Sequence, residues 1–169
     1  MVTTKIAFHH KEFSDELLNK SISDLLNKHN SLALASIKDN TSYINTGHYG
    51  FDEHLKMVVF TQPYTQHSQN IEKNPSVAIA IWTEPAIPGT DLQGVQLFGE
   101  CVRVPDNELQ EAIDVYTSHN PSFSNLVKVP KDFETAPTES RLYWVKIKSL
   151  KLIDEPAFGK RNFISLEVK

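Results

Sequence analysis

Six short stretches of this chain have the make-up of β-strands, and only two substantial helical patterns interrupt them; that ratio constrains the fold more than any other feature. The strands are Leu32–Lys38, Thr41–Gly47, Met57–Thr61, Ser76–Trp82, Gln93–Val104 and Arg141–Ile153. A parallel sheet needs a long crossover between most strand pairs, and the chain lacks these. The pattern therefore favours an antiparallel barrel flanked by helices. Asp39-Asn40 between the first two strands is a turn pair, so they read as a hairpin. Gly94 and Gly99 inside the fifth strand point to a bulge or a close backbone approach. Phe163–Val168 adds an edge strand or pairs with a partner.

The helices are legible from their spacing. Leu17, Leu18, Ile22, Leu25 and Leu26 recur on one face between Ser14 and Asn30. Ser14 serves as the N-cap, Asp15 and Glu16 complement the positive end of the dipole, Lys28 and His29 the negative end, and Asn30 suits the C′ position. The other stripe is Leu109, Ala112, Ile113 and Tyr116, in a helix opening at Asp106 and ending near His119-Asn120-Pro121. A shorter helix lies between Tyr64 and Lys73 and stops at Asn74-Pro75. Thr83–Leu92, with Pro85, Pro88 and Gly89, reads as a loop. So does Pro121–Ser140, which is long enough to suggest a functional or mobile segment.

At 169 residues the expectation is one domain spanning residues 1–169. A net charge of -4 argues against a nucleic-acid partner. No run of about 18 apolar residues suggests a membrane span, and no secretory pattern opens the sequence; a cytoplasmic location is expected. Cys101 is the single cysteine and reads as a buried hydrophobe. The histidines His9, His10, His29, His48, His54, His67 and His119 show no helical ligand pair, so no metal is expected. Hydrolase, nucleotide-loop and zinc-protease motifs are missing.

The chemistry-bearing stretch is Met57–Pro75. A strand ends at Thr61, and a helix starts amid hydroxyls, amides and the His67 imidazole, a set of donors suited to an anion. Equally, Thr65 and Ser68 could simply cap that helix.

This stretch, continued into Val77-Ala-Ile-Ala-Ile81, resembles the FMN-binding split-barrel superfamily typified by pyridoxamine 5′-phosphate oxidase. Thr65-Gln-His-Ser-Gln69, Gly94-Val-Gln-Leu-Phe-Gly-Glu100 and Phe158-Gly-Lys-Arg161 are together similar to a small, poorly characterised bacterial branch of it. The similarity runs from about Ile22 to Ile164. It implies a mainly β (α+β) fold, a six-stranded antiparallel split β-barrel of Greek-key type flanked by helices. It also implies a homodimer with FMN in clefts between the two chains.

Carried over by position, Phe60-Thr61 matches the strand end near the flavin, and Thr65-Gln66-His67 matches the run that grips the phosphate. Gln66 and His67 stand where the family has two permanent cations, so the phosphate would be held by neutral hydrogen bonds plus whatever charge His67 carries. Asn45, Thr46, Gly47 and His48 lie on the strand matching the one that runs along the isoalloxazine ring. Gly47 either lets the ring approach or marks a bulge. Gln96 sits two residues from the family's flavin-contacting glutamine, on the same strand face. Ile153 replaces a family tryptophan, while Trp144 reads as core or interface. Lys160 and Arg161 fall near the family's basic substrate-side residues, or are solvated charges.

No catalytic residue is assigned. The resemblance implies an FMN-dependent oxidoreductase acting on a small-molecule substrate or electron donor. The altered phosphate grip argues against pyridoxamine phosphate itself. The alternative is a non-enzymatic module binding haem, another flavin-like ligand or a partner protein. Haem would need an axial ligand, for which His48, His67 and His119 are the candidates.

Overall fold

A computed structural model describes residues 1–8, 10, 12–84 and 87–168. His9 and Pro85, both considered above, lie outside them. The strands are β1 (Ser31–Lys38), β2 (Thr41–Phe51), β3 (Lys56–Thr61), β4 (Ser76–Thr83), β5 (Gln93–Arg103), β6 (Arg141–Asp154) and β7 (Phe163–Glu167). The helices are α1 (Asp15–Lys28), α2 (Gln66–Lys73) and α3 (Leu109–His119), with short helical turns at Asp106–Glu108, Pro121–Asn125, Pro130–Glu134 and Glu155–Phe158.

Every strand pairing is antiparallel, in the order β3-β2-β1-β4-β5-β6-β7, and a β3–β6 pairing closes the first six into a barrel. β3 and β4 follow one another in sequence but stand apart in the barrel, which is the Greek-key step. The β1–β2 hairpin turns at Asp39 and Asn40, whose φ angles of 48° and 63° are the pair that a type I′ turn requires. β6 is long enough to serve two partners on one edge: Arg141–Lys146 pairs with β3 and Ser149–Ile153 with β7.

The barrel interior is filled by alternate residues, among them Leu32, Leu34, Met57, Val59, Ile79, Ile81, Val95, Leu97, Tyr143 and Val145. Leu18, Ile22, Leu25 and Leu26 of α1 join that cluster. This helix crosses one end of the barrel, where Ser21 Oγ lies 2.6 Å from Asp154 Oδ2 and Tyr49 donates its hydroxyl to the Leu26 carbonyl at 2.9 Å. Ser14 caps it as expected, accepting from Leu17 N–H. Truncating Leu26 to Ala would cost about 2–5 kcal/mol, because the site has no room to collapse without disturbing both helix and barrel. α2 crosses the opposite end.

α3 and the segment after it cover one outer flank. Val58, Leu142 and Trp144 from β3 and β6 pack against Ala112, Ile113, Tyr116, Phe123, Val127 and Phe133. Trp144 is thus core. The long Pro121–Ser140 loop contributes Phe123, Val127 and Phe133 to this cluster, a packing role that its lack of period concealed. Gly50 allows α3 to lie directly on β2, since a Cβ there would stand 2.6 Å from the Val115 carbonyl oxygen. The suspected irregularity in β5 falls between Phe98 and Gly99, where a Cβ on Gly99 would reach within 2.0 Å of the Lys146 carbonyl oxygen.

The other outer face is formed by β2, β1, β4, β5, β6 and β7. Residues facing each other across antiparallel strands share a side, so the register puts Thr46, Ala33, Ala80, Gln96, Lys151 and Ser165 in one continuous row. Ile44, Ala35, Ala78 and Phe98 run beside it. Here Ile44, Trp82 and Phe163 remain 75%, 58% and 64% exposed.

Candidate functional site

The barrel is split between β2 and β3. β3 pairs with β2 only through Tyr49, Gly50 and Phe51, so among the described residues Thr41–His48 has β1 on one edge and no strand on the other. Alternate backbone N–H and C=O groups of that stretch therefore face the gap. α2 starts in this gap. A small cleft of about 30 Å³ lies there, lined by Asn45, Thr46, Gly47, His48, Phe60, Thr61 and His67 over a floor of Leu32, Leu34, Val59 and Ile71.

The centre of the cleft is a hydroxyl–imidazole cluster. His67 Nε2 is 2.6 Å from Thr61 Oγ1 and 3.1 Å from Thr65 Oγ1. Thr65 occupies the N-cap position of α2, but its hydroxyl donates to the Gln62 carbonyl at 2.8 Å and caps no helical N–H. Its Oγ1 lies 3.0 Å from Ser68 Oγ. The simple capping alternative for Thr65 and Ser68 therefore fails. Burial holds His67 below the ordinary imidazole value and so favours the neutral ring.

Asn45 faces the barrel side of β2, opposite Leu34, and its Oδ1 is buried without a hydrogen-bond partner. A buried acceptor of this kind costs about 1–3 kcal/mol unless something donates to it. Gly47 pairs regularly with Leu32, which excludes a bulge, and the space its Cβ would fill is open. Thr46 points to the uncovered outer face. His48 has Nδ1 at 2.9 Å from the Asn30 carbonyl oxygen. Phe60 turns its ring toward Phe123 and Tyr116, at centroid distances of 5.0 and 5.8 Å, and so anchors the wall rather than the mouth.

Gln66 stands beside the cleft but is directed away: its Nε2 donates to Asn70 Oδ1 at 2.7 Å, and Asn70 Nδ2 donates to Ser36 Oγ at 3.1 Å. That relay escaped the sequence reading, because nothing local connects Ser36 to Asn70. Arg141 escaped it too. It stands opposite Thr61 in the β3–β6 pairing, with its Nη1 on the Ser140 carbonyl at 2.9 Å and its guanidinium 5.5 Å from the Phe133 ring.

Three of the candidate residues lie elsewhere in the chain. Gln96 is in the row with Thr46 but two strands intervene, a separation of roughly 14 Å at ordinary strand spacing. It lines a groove of about 410 Å³ with Trp82, Leu92, Gly94, Ile153 and Phe163. Lys160 and Arg161 occupy the turn before β7, exposed, with Arg161 at φ 57°. The Glu155 carboxylate secures that turn, accepting from Arg161 N–H at 2.9 Å and Leu92 N–H at 3.0 Å. These two backbone donors, Arg161 before Leu92, hold the Glu155 carboxyl below the usual range. Of the candidate haem ligands, His119 is packed away from the split, its Nε2 at 2.9 Å from the His29 carbonyl oxygen and its ring stacked on Tyr49. Burial pushes the Cys101 thiol up to about 12, as suits an inert core position.

A closed six-stranded antiparallel barrel opened along one seam defines the split-barrel class. The family model for pyridoxamine 5′-phosphate oxidase matches residues 18–154, and the chain belongs to that family. No curated protein matches. Among solved structures, the chain is similar to a protein of unknown function from Agrobacterium tumefaciens, at 18% identity and a TM-score of 0.61, over 76% of this chain and 53% of that one. It is similar to a haem-binding protein from Mycobacterium smegmatis at 15% identity and a TM-score of 0.66, over 88% and 55%. A FAD-binding protein from Mesorhizobium loti matches at 15% identity and a TM-score of 0.58, over 76% and 88%. The chain spans about half the length of the first two. At such identities these likenesses concern the fold. No helix among the described residues is long and apolar enough to cross a membrane.

Proposed function

We propose that the chain is an FMN-binding flavoprotein of the oxidoreductase type, working as a homodimer on a small-molecule substrate or electron donor. The observation that carries this reading is the open edge of β2, with the orphaned Asn45 Oδ1 and the clear space over Gly47 beside the Thr61–His67 pair. The edge offers a flat ring backbone donors and acceptors, and Asn45 offers an acceptor. Thr61, Thr65 and His67 would hold the phosphate end. Bound FMN supplies hydride or electron transfer, which leaves the chain to position the ring and exclude water.

The second copy belongs to the proposal because Gln96, Lys160 and Arg161 stand too far along the sheet to reach the split of their own chain. Two chains joined through the uncovered face would set one copy's split against the other's Gln96 side. The test is to titrate the purified chain with FMN while following flavin fluorescence, and to measure its mass by light scattering. Saturable quenching at one FMN per chain, in a dimer, is expected. A colourless monomer that ignores FMN overturns the reading. The haem-binding relative supports a second, non-enzymatic reading; uptake of haem with a Soret band, by a protein that ignores FMN, would carry it.

A further inference from the structure

We infer that His67 decides whether this cleft prefers a phosphorylated or a phosphate-free flavin, by taking up a proton from solvent as the phosphate dianion docks at the start of α2. The inference rests on the flavin reading above and gives the phosphate end of that site its chemistry.

The phosphate end has few ways to hold charge. Gln66 is committed to Asn70, the Thr65 hydroxyl to the Gln62 carbonyl, and the first turn of α2 carries no acidic residue. What remains is the uncapped backbone N–H groups of α2, the His67 ring, and Arg141 opposite Thr61, whose guanidinium is turned to the Ser140 carbonyl and the Phe133 ring. Burial favours the neutral form of the His67 ring. Both atoms in contact with its Nε2 are hydroxyl oxygens, from Thr61 and Thr65. A hydroxyl can donate to a bare ring nitrogen or accept from a protonated one. The Thr61 hydroxyl therefore suits imidazole by donating and imidazolium by accepting, while Thr65, its hydrogen on the Gln62 carbonyl, adds an acceptor for the protonated ring; gaining a proton requires only that the Thr61 hydrogen turn.

The surroundings leave that proton to the ligand. β1 presents Leu32 and Leu34 to the cleft, β2 presents Asn45 and His48, and no carboxylate is among the lining residues. β6 brings Arg141 opposite Thr61 and Tyr143 opposite Val59. α2 carries Glu72 and Lys73 in its last turn, beyond the cluster. An arriving phosphate is thus the negative charge that stabilises the imidazolium, and an opposite charge at contact raises a histidine's pKa.

The sign follows from linkage. The bound state holds one more proton than the free state, so FMN affinity falls as pH rises, by at most about tenfold per pH unit between the free and bound His67 values. Riboflavin has the same ring and no phosphate, so its affinity stays level over that range.

The experiment is calorimetric titration of the full chain with FMN and with riboflavin from about pH 6.5 to about pH 8.5, in two buffers of different ionisation heat. Expected are uptake of about one proton per FMN, none with riboflavin, and an FMN-to-riboflavin preference that shrinks with pH. His67→Gln should lose most of the preference for FMN over riboflavin and take up no proton. His67→Lys should bind FMN more tightly than the native chain at the alkaline end, without pH dependence. Retained riboflavin binding certifies the fold of each variant; were one variant unfolded, the other and the native proton count still decide. FMN binding without proton uptake overturns the inference and spares the flavin reading. So does uptake that survives in His67→Gln, since the proton then sits on the phosphate ester. Failure of both flavins to bind at every pH overturns the reading and the inference together.

Discussion

The covered flank is built on β3 and β6 and the other outer face on β2, β1, β4, β5, β6 and β7; both follow the same strand alternation, yet they end in opposite states. On the α3 flank, Phe60, Tyr116 and Phe123 form an aromatic triad with centroid separations between 4.7 and 5.8 Å, and Val58, Leu142 and Trp144 are buried beneath it. On the other face, Ala33, Ala35, Ala78 and Ala80 form a low floor between Ile44 and Trp82, which the described residues leave 75% and 58% exposed. Bulky residues lie where the chain supplies its own cover. Small ones lie where a flat surface has been left, and a flat apolar surface of this kind suits a second copy of the protein.

The largest effect should come from opening the covered flank. Phe123→Ala removes a ring that touches two others and should lower stability by about 3–5 kcal/mol in urea denaturation, with α3 loosened first. Next, Gly50→Ala should cost about 1–3 kcal/mol, because the new Cβ meets backbone rather than a side chain that could move. On the uncovered face the comparison predicts a different outcome. Ile44→Glu or Trp82→Glu should change the stability of the separated chain by about 0.5 kcal/mol or less, while shifting the mass seen by light scattering from that of the proposed dimer to that of a monomer. Equal destabilisation by both kinds of change would erase the distinction between the faces.

The smallest effect concerns the edge of the uncovered face, where Glu155 ties the Lys160-Arg161 turn to Leu92. Its carboxyl is depressed in the folded chain. Its contribution is therefore present above the unfolded value of about 4.3 and is lost as pH falls through the folded one. Melting temperature measured from neutral pH down to about pH 3 should fall more steeply in the native chain than in Glu155→Gln.

Much of the fold is legible in the sequence because its signals are local. Asp39-Asn40 announces the hairpin by its tolerance of positive φ, Ser14 announces the start of α1, and Gly99 announces the bulge. The closure of the barrel is not legible, since no local feature of Lys56–Thr61 says that its second partner is Arg141–Lys146. The same holds for the site. Asn45, Gly47, Thr61 and His67 are named by pattern and resemblance and meet in one cleft. That Gln66 turns to Asn70, or that two strands separate Gln96 from Thr46, depends on register and packing that only the assembled barrel provides. The Pro121–Ser140 segment makes the point in reverse: irregular in sequence, it is held by three buried side chains.

β6 gives one edge to two neighbours, β3 along Arg141–Lys146 and β7 along Ser149–Ile153, and Val168 N–H takes the Lys148 carbonyl between them at 3.0 Å. The longest strand in the molecule thus offers almost no backbone to a passing chain. Removing the last few residues would expose Ser149–Ile153 as a ready template for strand addition. The short β7, with Ser165 and Glu167 pointing outward, works as a guard against aggregation as well as a part of the sheet.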